Sequence, residues 1–359
     1  MLLENNKIGS VRQYRAQNAD VTCRQTSITK ITHLEYQELE DISSTGHKRP
    51  WKEKKIKSKL VADGYNRLAS IYPEEMEYFE KKSDRINHCG DWLEFKRYED
   101  NSLKLHKAWF CKQRMCPNCT WRRSIKIFSQ VSQIMNAIQI ENDKEYLFLT
   151  LTVKNVDGPI LSDTLGDLIA GYLKLIRKTA VKKSVLGCFR SIEITYNKDT
   201  CQYHPHIHVV LCVNKNYFTS NYISNDTWSK LWKDCMNLDY MPVIDIRKIK
   251  GDKAKATAEA AKYATKDEDI MTTDEYNQKI VDEEVLLTLD EALKGRRLIS
   301  YSGIFKQYQQ KLKLEDPEEG DLIHIDEDSI RSDLNYVIER YKWRCGAYVL
   351  DTSANSETA

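Results

Sequence analysis

Apolar positions organise the chain from residue 144 onward. YLFLTLTV (146–153) is a continuous apolar run of strand length. LSDTLGDLIAGYLKLIRK (161–178) spaces Leu161, Leu165, Leu168, Tyr172 and Ile176 along one helix face. RSIEITYN (190–197) and YHPHIHVVLCV (203–213) are β-rich and joined by the short polar link KDTCQ, which predicts a hairpin. NDTWSKLWKDCMN (225–237) opens with capping residues and reads as a helix, VIDIRKI (243–249) as a strand, and the Ala-rich DKAKATAEAAKYATKD (252–267) as a helix. The order β-α-β-β-α-β, closed by a helix, predicts an α+β fold. Its core is a split βαβ (ferredoxin-like or RRM-like) antiparallel sheet with helices on one face. The open face of such a sheet is a natural place for a site.

The flanks are less regular. Residues 1–80 form a polar N-terminal segment, 81–125 a cysteine-bearing basic module, 126–267 the α+β domain, and 268–345 an acidic segment expected to be separate and mostly helical. Residues 346–359 read as a disordered tail. No apolar run approaches the roughly 20 residues that cross a bilayer, and MLLENNKIGS does not look like a signal segment, so the expectation is a cytoplasmic protein without a membrane role. In that compartment the ten cysteines stay reduced, and metal binding or burial explains them better than disulfides.

A net charge of +2 conceals segregation. Residues 101–130 carry Lys104, Lys107, Lys112, Arg114, Arg122, Arg123 and Lys126 and no acid, whereas LEDPEEGDLIHIDED (314–328) has no base. A local positive field draws in a polyanion even when the total charge is near zero. The lysine run at 48–59, taken alone, is better read as a solvated face.

His204, His206 and His208 share one face of their strand, while Ile207 points to the core. A hairpin centred on 199–200 places Glu193 opposite His206. Two imidazoles and a carboxylate suit Mn²⁺ or Mg²⁺. His204 is then a residue behind the ligands or a DNA contact. Three surface histidines on a half-exposed strand are the plain alternative, but three of eight histidines within five residues favour metal.

In AEAAKYATK, Glu259 and Tyr263 lie four apart on one helix face, with Lys266 three further on and Lys262 beside them as a DNA contact. Phosphoryl transfer to tyrosine needs a nucleophile, a cation at the phosphate and a means to activate water. The plain alternative is an amphipathic helix with a packed tyrosine. With 20 tyrosines in the chain, Tyr263 gains its weight from this company and from following the histidine strand.

Together these motifs resemble the rolling-circle plasmid replication initiators of Gram-positive bacteria, within the His-hydrophobe-His endonuclease superfamily. FLTLT (148–152), HPHIHVVL (204–211) and EAAKYATK (259–266) occur in that family's order, and GRRLISYSGIFKQ (295–307) is similar to its downstream segment. The resemblance spans about residues 85–325. It implies that Tyr263 attacks one phosphodiester of the plasmid double-strand origin, forming a 5′-phosphotyrosine and leaving a 3′-OH. It implies that Glu259 activates water to finish the cycle. A host helicase is the partner it leads one to expect, and a homodimer is left open. A relaxase or single-strand transposase would share the chemistry. A DNA-binding regulator with a structural His cluster would not.

Cys111, Cys116 and Cys119 in WFCKQRMCPNCTWRR, with Cys89 upstream, form a candidate structural zinc site, for which His88 or His106 are alternative fourth ligands. Reduced buried cysteines are the competing reading. The resemblance favours zinc, since similar initiators carry the same Cys-Gly…Cys…Cys-Pro-x-Cys arrangement. Its basic surroundings, Arg122 and Arg123 above all, suggest DNA contact. Trp109, Phe110 and Trp121 suit stacking on bases and core packing equally.

Overall fold

The structure is a computed structural model that describes residues 37–43, 46–249, 253–261, 265–325 and 335–352. Two helices, α1 (Trp51–Ile71) and α2 (Met76–Asn87), precede a hairpin of β1 (Trp92–Tyr98) and β2 (Leu103–Ala108). The long α3 (Pro117–Asn142) leads into β3 (Glu145–Thr152), α4 (Gly158–Arg177), α5 (Thr179–Ser184), β4 (Val185–Asn197), β5 (Gln202–Val213), α6 (Asn225–Met236), β6 (Ile244–Lys248) and α7 (Lys253–Ala260). A small hairpin of β7 (Met271–Thr273) and β8 (Lys279–Val281) follows. Then come α8 (Glu283–Leu293), β9 (Ile299–Gly303), α9 (Ile304–Lys311), β10 (Tyr336–Arg344) and β11 (Ala347–Leu350).

The central sheet has the order β6-β3-β5-β4-β9, and every neighbouring pair is antiparallel. Its elements fall where the apolar periodicity predicts them. Cys188, Ile192 and Ile194 alternate with Phe189, Ser191 and Glu193 along β4, so the two sets face opposite sides. On the first side α4 buries Leu161, Leu165, Leu168 and Tyr172, and the Tyr172 hydroxyl lies 2.9 Å from Sγ of Cys188. On that side too, α6 packs against β6 at the sheet edge.

Helices on one face are not the whole arrangement. The other face is partly covered by α3, α7 and α9. Tyr146 of β3 donates to the Met135 carbonyl of α3 at 2.9 Å and meets Phe305 of α9 edge to face. The reason is the apolar stripe of α3: Ile127, Val131, Ile134, Met135 and Ile138 are all buried and need a partner.

The division at residue 268 also dissolves. β9 pairs with β4 and completes the central sheet. β10 pairs with β1 in a second sheet of order β11-β10-β1-β2, which encloses Leu93, Phe95, Leu105, Tyr341 and Tyr348 together with Trp51 of α1. β11 occupies the start of the expected tail, pairing Ala347–Leu350 with β10. The remaining expected tail, 353–359, and the first 36 residues lie outside the described residues. Among the described residues no helix is long and apolar enough to cross a membrane.

The segregated charges meet each other. Arg122, fully buried, donates from Nε to the Leu322 carbonyl and from Nη2 to the Ile323 carbonyl, both at 2.9 Å, while its guanidinium lies 5.3 Å from the Trp51 ring. Arg123 donates to the Glu318 carbonyl at 3.0 Å, and Lys126 pairs with Glu315 at 3.0 Å. Glu318 in turn accepts from the Leu298 and Ile299 amides at 2.7 and 2.6 Å. The expectation that Arg122 and Arg123 contact DNA is therefore corrected. Both side chains point inward, because an irregular loop at 315–323 presents backbone carbonyls that α3 must satisfy. Trp121 and Phe110 likewise pack on Trp51, at 4.7 and 6.4 Å between ring centroids, and only Trp109 of the three aromatics is exposed.

Replacing Arg122 by Ala strands two buried carbonyls. The expected cost is about 3 kcal/mol, read as a lower urea midpoint at unchanged slope. Because Arg122 touches no phosphate on this geometry, the slope of log affinity for DNA against log salt should not change. A slope reduced by about 1 would restore it as a DNA contact.

Candidate functional site

The hairpin of β4 and β5 brings Glu193 opposite His206 and Ser191 opposite His208. On the other side of β5, Thr152 and Thr150 of β3 stand opposite the same two histidines. Side chains opposite one another on adjacent strands point to the same face, so Glu193, His206 and His208 converge. Nε2 of His206 lies 2.9 Å and Nε2 of His208 2.8 Å from the same oxygen, Oε2 of Glu193. The carboxylate is 2% exposed and the histidines 8% and 4%. Burial pushes the Glu193 pKa up, but hydrogen bonds and charge from His206 and His208 outweigh it and hold the group below the usual carboxylate range.

The arrangement calls for a cation. Nδ1 of His206 is 3.1 Å from the His204 carbonyl, which can only accept, so Nδ1 carries a proton. In a neutral ring the Nε2 lone pair then faces a carboxylate oxygen. Either a second proton or a metal ion relieves that contact. A backbone carbonyl on the outer nitrogen is also how metal-binding imidazoles are oriented. The three donor atoms lie within 4.8 Å of one another, so the triad can hold a metal ion. His208 is braced by Thr150 Oγ1 at 3.3 Å and by stacking on Phe148 at 5.5 Å, and Arg247 of β6 covers that ring at 5.0 Å. His204 stands apart from the converging atoms and supports them through its carbonyl. Burial and the neighbouring His206 lower its pKa.

The helix predicted for 252–267 is shorter. α7 is described to Ala260, with Ala261 in a turn, and Lys266 is extended at φ −84°, ψ 142°. Its Ala-rich propensity is overridden by tertiary ties: Asp267, which begins the following 3₁₀ turn (Asp267–Ile270), pairs with Lys54 of α1. Tyr263 and Lys262 lie outside the described residues. Ser191 of β4 donates to the Ala260 carbonyl at 2.6 Å, and the small buried Ala260 and Ala261 let the end of α7 lie on the strands. Glu259 is half-buried on α7. Lys266, though off the helix, places Nζ 4.0 Å from Oε1 of Glu193. A cleft of about 310 Å³ opens beside Glu193 and Lys266, lined also by Lys54, Lys57, Trp121 and Ser124.

The four cysteines form one cluster. Cys89 follows α2, Cys111 follows β2, and Cys116 and Cys119 begin α3, where Pro117 opens the helix. All four are fully buried, and the sulfurs of Cys89 and Cys111 lie 3.5 and 3.6 Å from that of Cys119. Tetrahedral zinc with Zn–S near 2.3 Å separates its sulfurs by roughly 3.8 Å. Amides of Cys111 and Lys112 donate to Cys89 and Cys119 sulfurs at 3.4 and 3.2 Å. Burial raises the Cys89 and Cys111 thiols, while for Cys116 the hydrogen bonds from the other three thiols outweigh burial and favour the thiolate. The cluster can bind zinc. Neither alternative histidine belongs to it: His88 faces Asp91 at 2.7 Å, and His106 lies near Glu94.

Comparison with known proteins decides the family. The family model described as replication protein matches residues 102–349. The chain belongs to the replication protein family. A curated relative named Protein rep from Bacillus amyloliquefaciens is 40% identical over 314 residues, covering 82% of this chain and 91% of its own. Relatives of the same name from Streptococcus pneumoniae serotype 2 (38%, 81% and 88%) and Lactiplantibacillus plantarum (40%, 81% and 90%) are similar. No solved structure matches the chain. The family match takes in both strands of the triad and three of the four cysteines, but not Cys89 or α1. Sequence reasoning missed the supports of the site: Thr150, Phe148, Ser191, Lys54 and Lys57. Only register and tertiary contact place them there.

Glu193→Gln keeps the shape but removes the charge between the two imidazoles. Titration of metal-stripped protein with Mn²⁺, followed by electron paramagnetic resonance, should show affinity lowered at least about tenfold. Wild-type affinity in the variant would remove Glu193 from the metal site. Cys116→Ser should leave zinc substoichiometric by elemental analysis and lower the thermal midpoint.

Proposed function

We infer that this replication protein initiates rolling-circle replication of a plasmid by nicking its double-strand origin. The convergence of Glu193, His206 and His208, with Lys266 4.0 Å from Glu193, carries the reading. The strand order β6-β3-β5-β4 supports a split βαβ core for the nicking domain. A divalent Mn²⁺ or Mg²⁺ held by Glu193, His206 and His208 would supply Lewis-acid polarisation of the scissile phosphate. Tyr263, in the segment between α7 and Lys266, is the proposed nucleophile. Its oxygen forms the new bond to phosphorus as the bond to the 3′ oxygen breaks. The tyrosine gives up its proton to solvent, the leaving 3′ oxygen takes one up, and the product is a 5′-phosphotyrosine with a free 3′-OH. Lys266 meets the charge gathering on the phosphate. Glu259, on α7, accepts a proton from the water that later frees the enzyme, a role worth about 10²–10⁴-fold in rate. Zinc on Cys89, Cys111, Cys116 and Cys119 is assigned a structural role, joining α2, the β1–β2 hairpin and α3. The substrate is origin DNA, single-stranded at the nick.

The test is covalent capture. Wild-type protein with Mn²⁺ should form a denaturation-resistant adduct with a labelled single-stranded oligonucleotide from the replicon's origin, EDTA should abolish it, and added Mn²⁺ should restore it. Tyr263→Phe should bind the oligonucleotide but form no adduct, and an adduct at wild-type level would move the nucleophile elsewhere. Glu259→Ala should leave the first nick nearly intact while hydrolysed product falls steeply. Equal loss of nicking and hydrolysis would instead make Glu259 an orienting group.

A further inference from the structure

The turn that follows Lys266 is tied to α1, a helix outside the span of the family match. Asp267 accepts from Nζ of Lys54, and Glu268 lies 2.8 Å from Nζ of Lys57, which also sits 3.7 Å from Asp267 and 2.5 Å from Glu53. The contacts to Asp267 are sheltered, with the side chains of Lys54, Lys57 and Asp267 19%, 11% and 9% exposed, whereas Glu268 is 58% exposed. Burial opposes the charge on Lys57, yet its carboxylate partners raise its pKa. Ions held out of water give up hydration, and only close opposite charge offsets that loss. The pairs at Asp267 therefore favour one position of the turn.

What α1 is fastened to makes it a firm anchor. The intervening Lys55 is fully buried and donates to the carbonyls of Asn87 and Cys89 at 2.8 and 2.9 Å and to Asp91 at 2.6 Å. Ser58 lies 3.6 Å from the Cys116 sulfur and accepts from the Asn118 amide at 3.3 Å. One side of α1 thus grips the cysteine cluster while Lys54 and Lys57 grip the segment next to the triad. Glu193, 4.0 Å from Lys266, lines the same cleft as Lys54 and Lys57.

We propose that Lys54 and Lys57 are positioning residues for the nicking reaction: paired with Asp267 and Glu268, they hold the segment bearing Lys266 against the Glu193–His206–His208 triad. This rests on the reading of Lys266 and the triad given above. The pairs join α1 to the turn that follows Lys266. They act by fixing where Lys266 stands, and a displacement of about 1 Å at a reacting centre can cost about 10²-fold in rate.

A charge swap in the full-length protein tests this. Lys54→Glu and Asp267→Lys, each alone, put like charges together, and the double variant restores an opposed pair. Lys52→Glu, on the solvent side of the same helix, is the control, since among the described residues Lys52 pairs with Glu38 at 3.5 Å and is 55% exposed. Two readouts are taken after thermal unfolding has shown that each variant folds. Hydrogen exchange follows the turn at 266–270, where the Asp269 amide donates to the Lys266 carbonyl at 3.1 Å. Adduct formation with Mn²⁺ is measured on the origin oligonucleotide alongside the dissociation constant for the same DNA. Each single variant should exchange faster in this turn and form adduct about 10²-fold more slowly, at unchanged DNA affinity, and the swap should recover both. Folded single variants with wild-type exchange and rate overturn the proposal, as does a folded swap that recovers neither. Should the single variants not fold, the swap carries the test: recovery of fold, exchange and rate supports the pairing, and a folded swap with fast exchange overturns it. If wild-type protein forms no adduct, it is the nicking function that fails, and the exchange data alone judge the anchoring.

Discussion

The site depends on the register of one hairpin. β4 and β5 are joined by the turn at 198–201, and their pairing sets Glu193 against His206 and Ser191 against His208. A slip of one residue would turn Glu193 to the opposite face, among the apolar side chains under α4. Register is held from both sides, since β3 pairs along most of β5 and β9 along the first half of β4. Burying a carboxylate is costly unless opposite charge or hydrogen bonds compensate. Here both come from the same two imidazoles, so the group that is hardest to bury is also the one that gathers the two histidines.

Around that hairpin the chain closes on itself over long separations. β1 pairs with β10, Arg122 and Arg123 bind the loop after α9, and Lys54 reaches Asp267. The basic and acidic stretches, which look in the sequence like a nucleic-acid surface and a separate acidic segment, are partly two halves of one internal interface. Their charges cancel locally, in keeping with a net charge of only +2. The cysteine cluster, α1 and the turn at Asp267–Ile270 are one connected framework.

Much of the central sheet was legible because period-2 and period-3.6 patterns report local burial. β3, β4, β5, α4, α6 and β6 lie where those patterns predict. The convergence of Glu193 with the histidines was legible for the same reason: alternation along a strand and a short connection are local facts, and together they put Glu193 opposite His206. The cysteines were legible from type and spacing. Less was visible beyond α7. Asp267 and Glu268 belong to a 3₁₀ turn and not to a continuing helix, because their partners are on α1, some 210 residues earlier in the chain.

The sequence by itself thus determined β3, β4, β5 and β6, the facing histidines and glutamate, and the family motifs, since each depends on neighbours within about 15 residues. Only the tertiary structure decided that Arg122 and Arg123 turn inward, that residues 299–303 and 336–350 complete the two sheets, and that α1 spans the cysteine cluster and the site. The physical reason is the same in each case. A charge or a strand edge seeks whichever partner satisfies it, and composition records the need without saying which distant segment meets it.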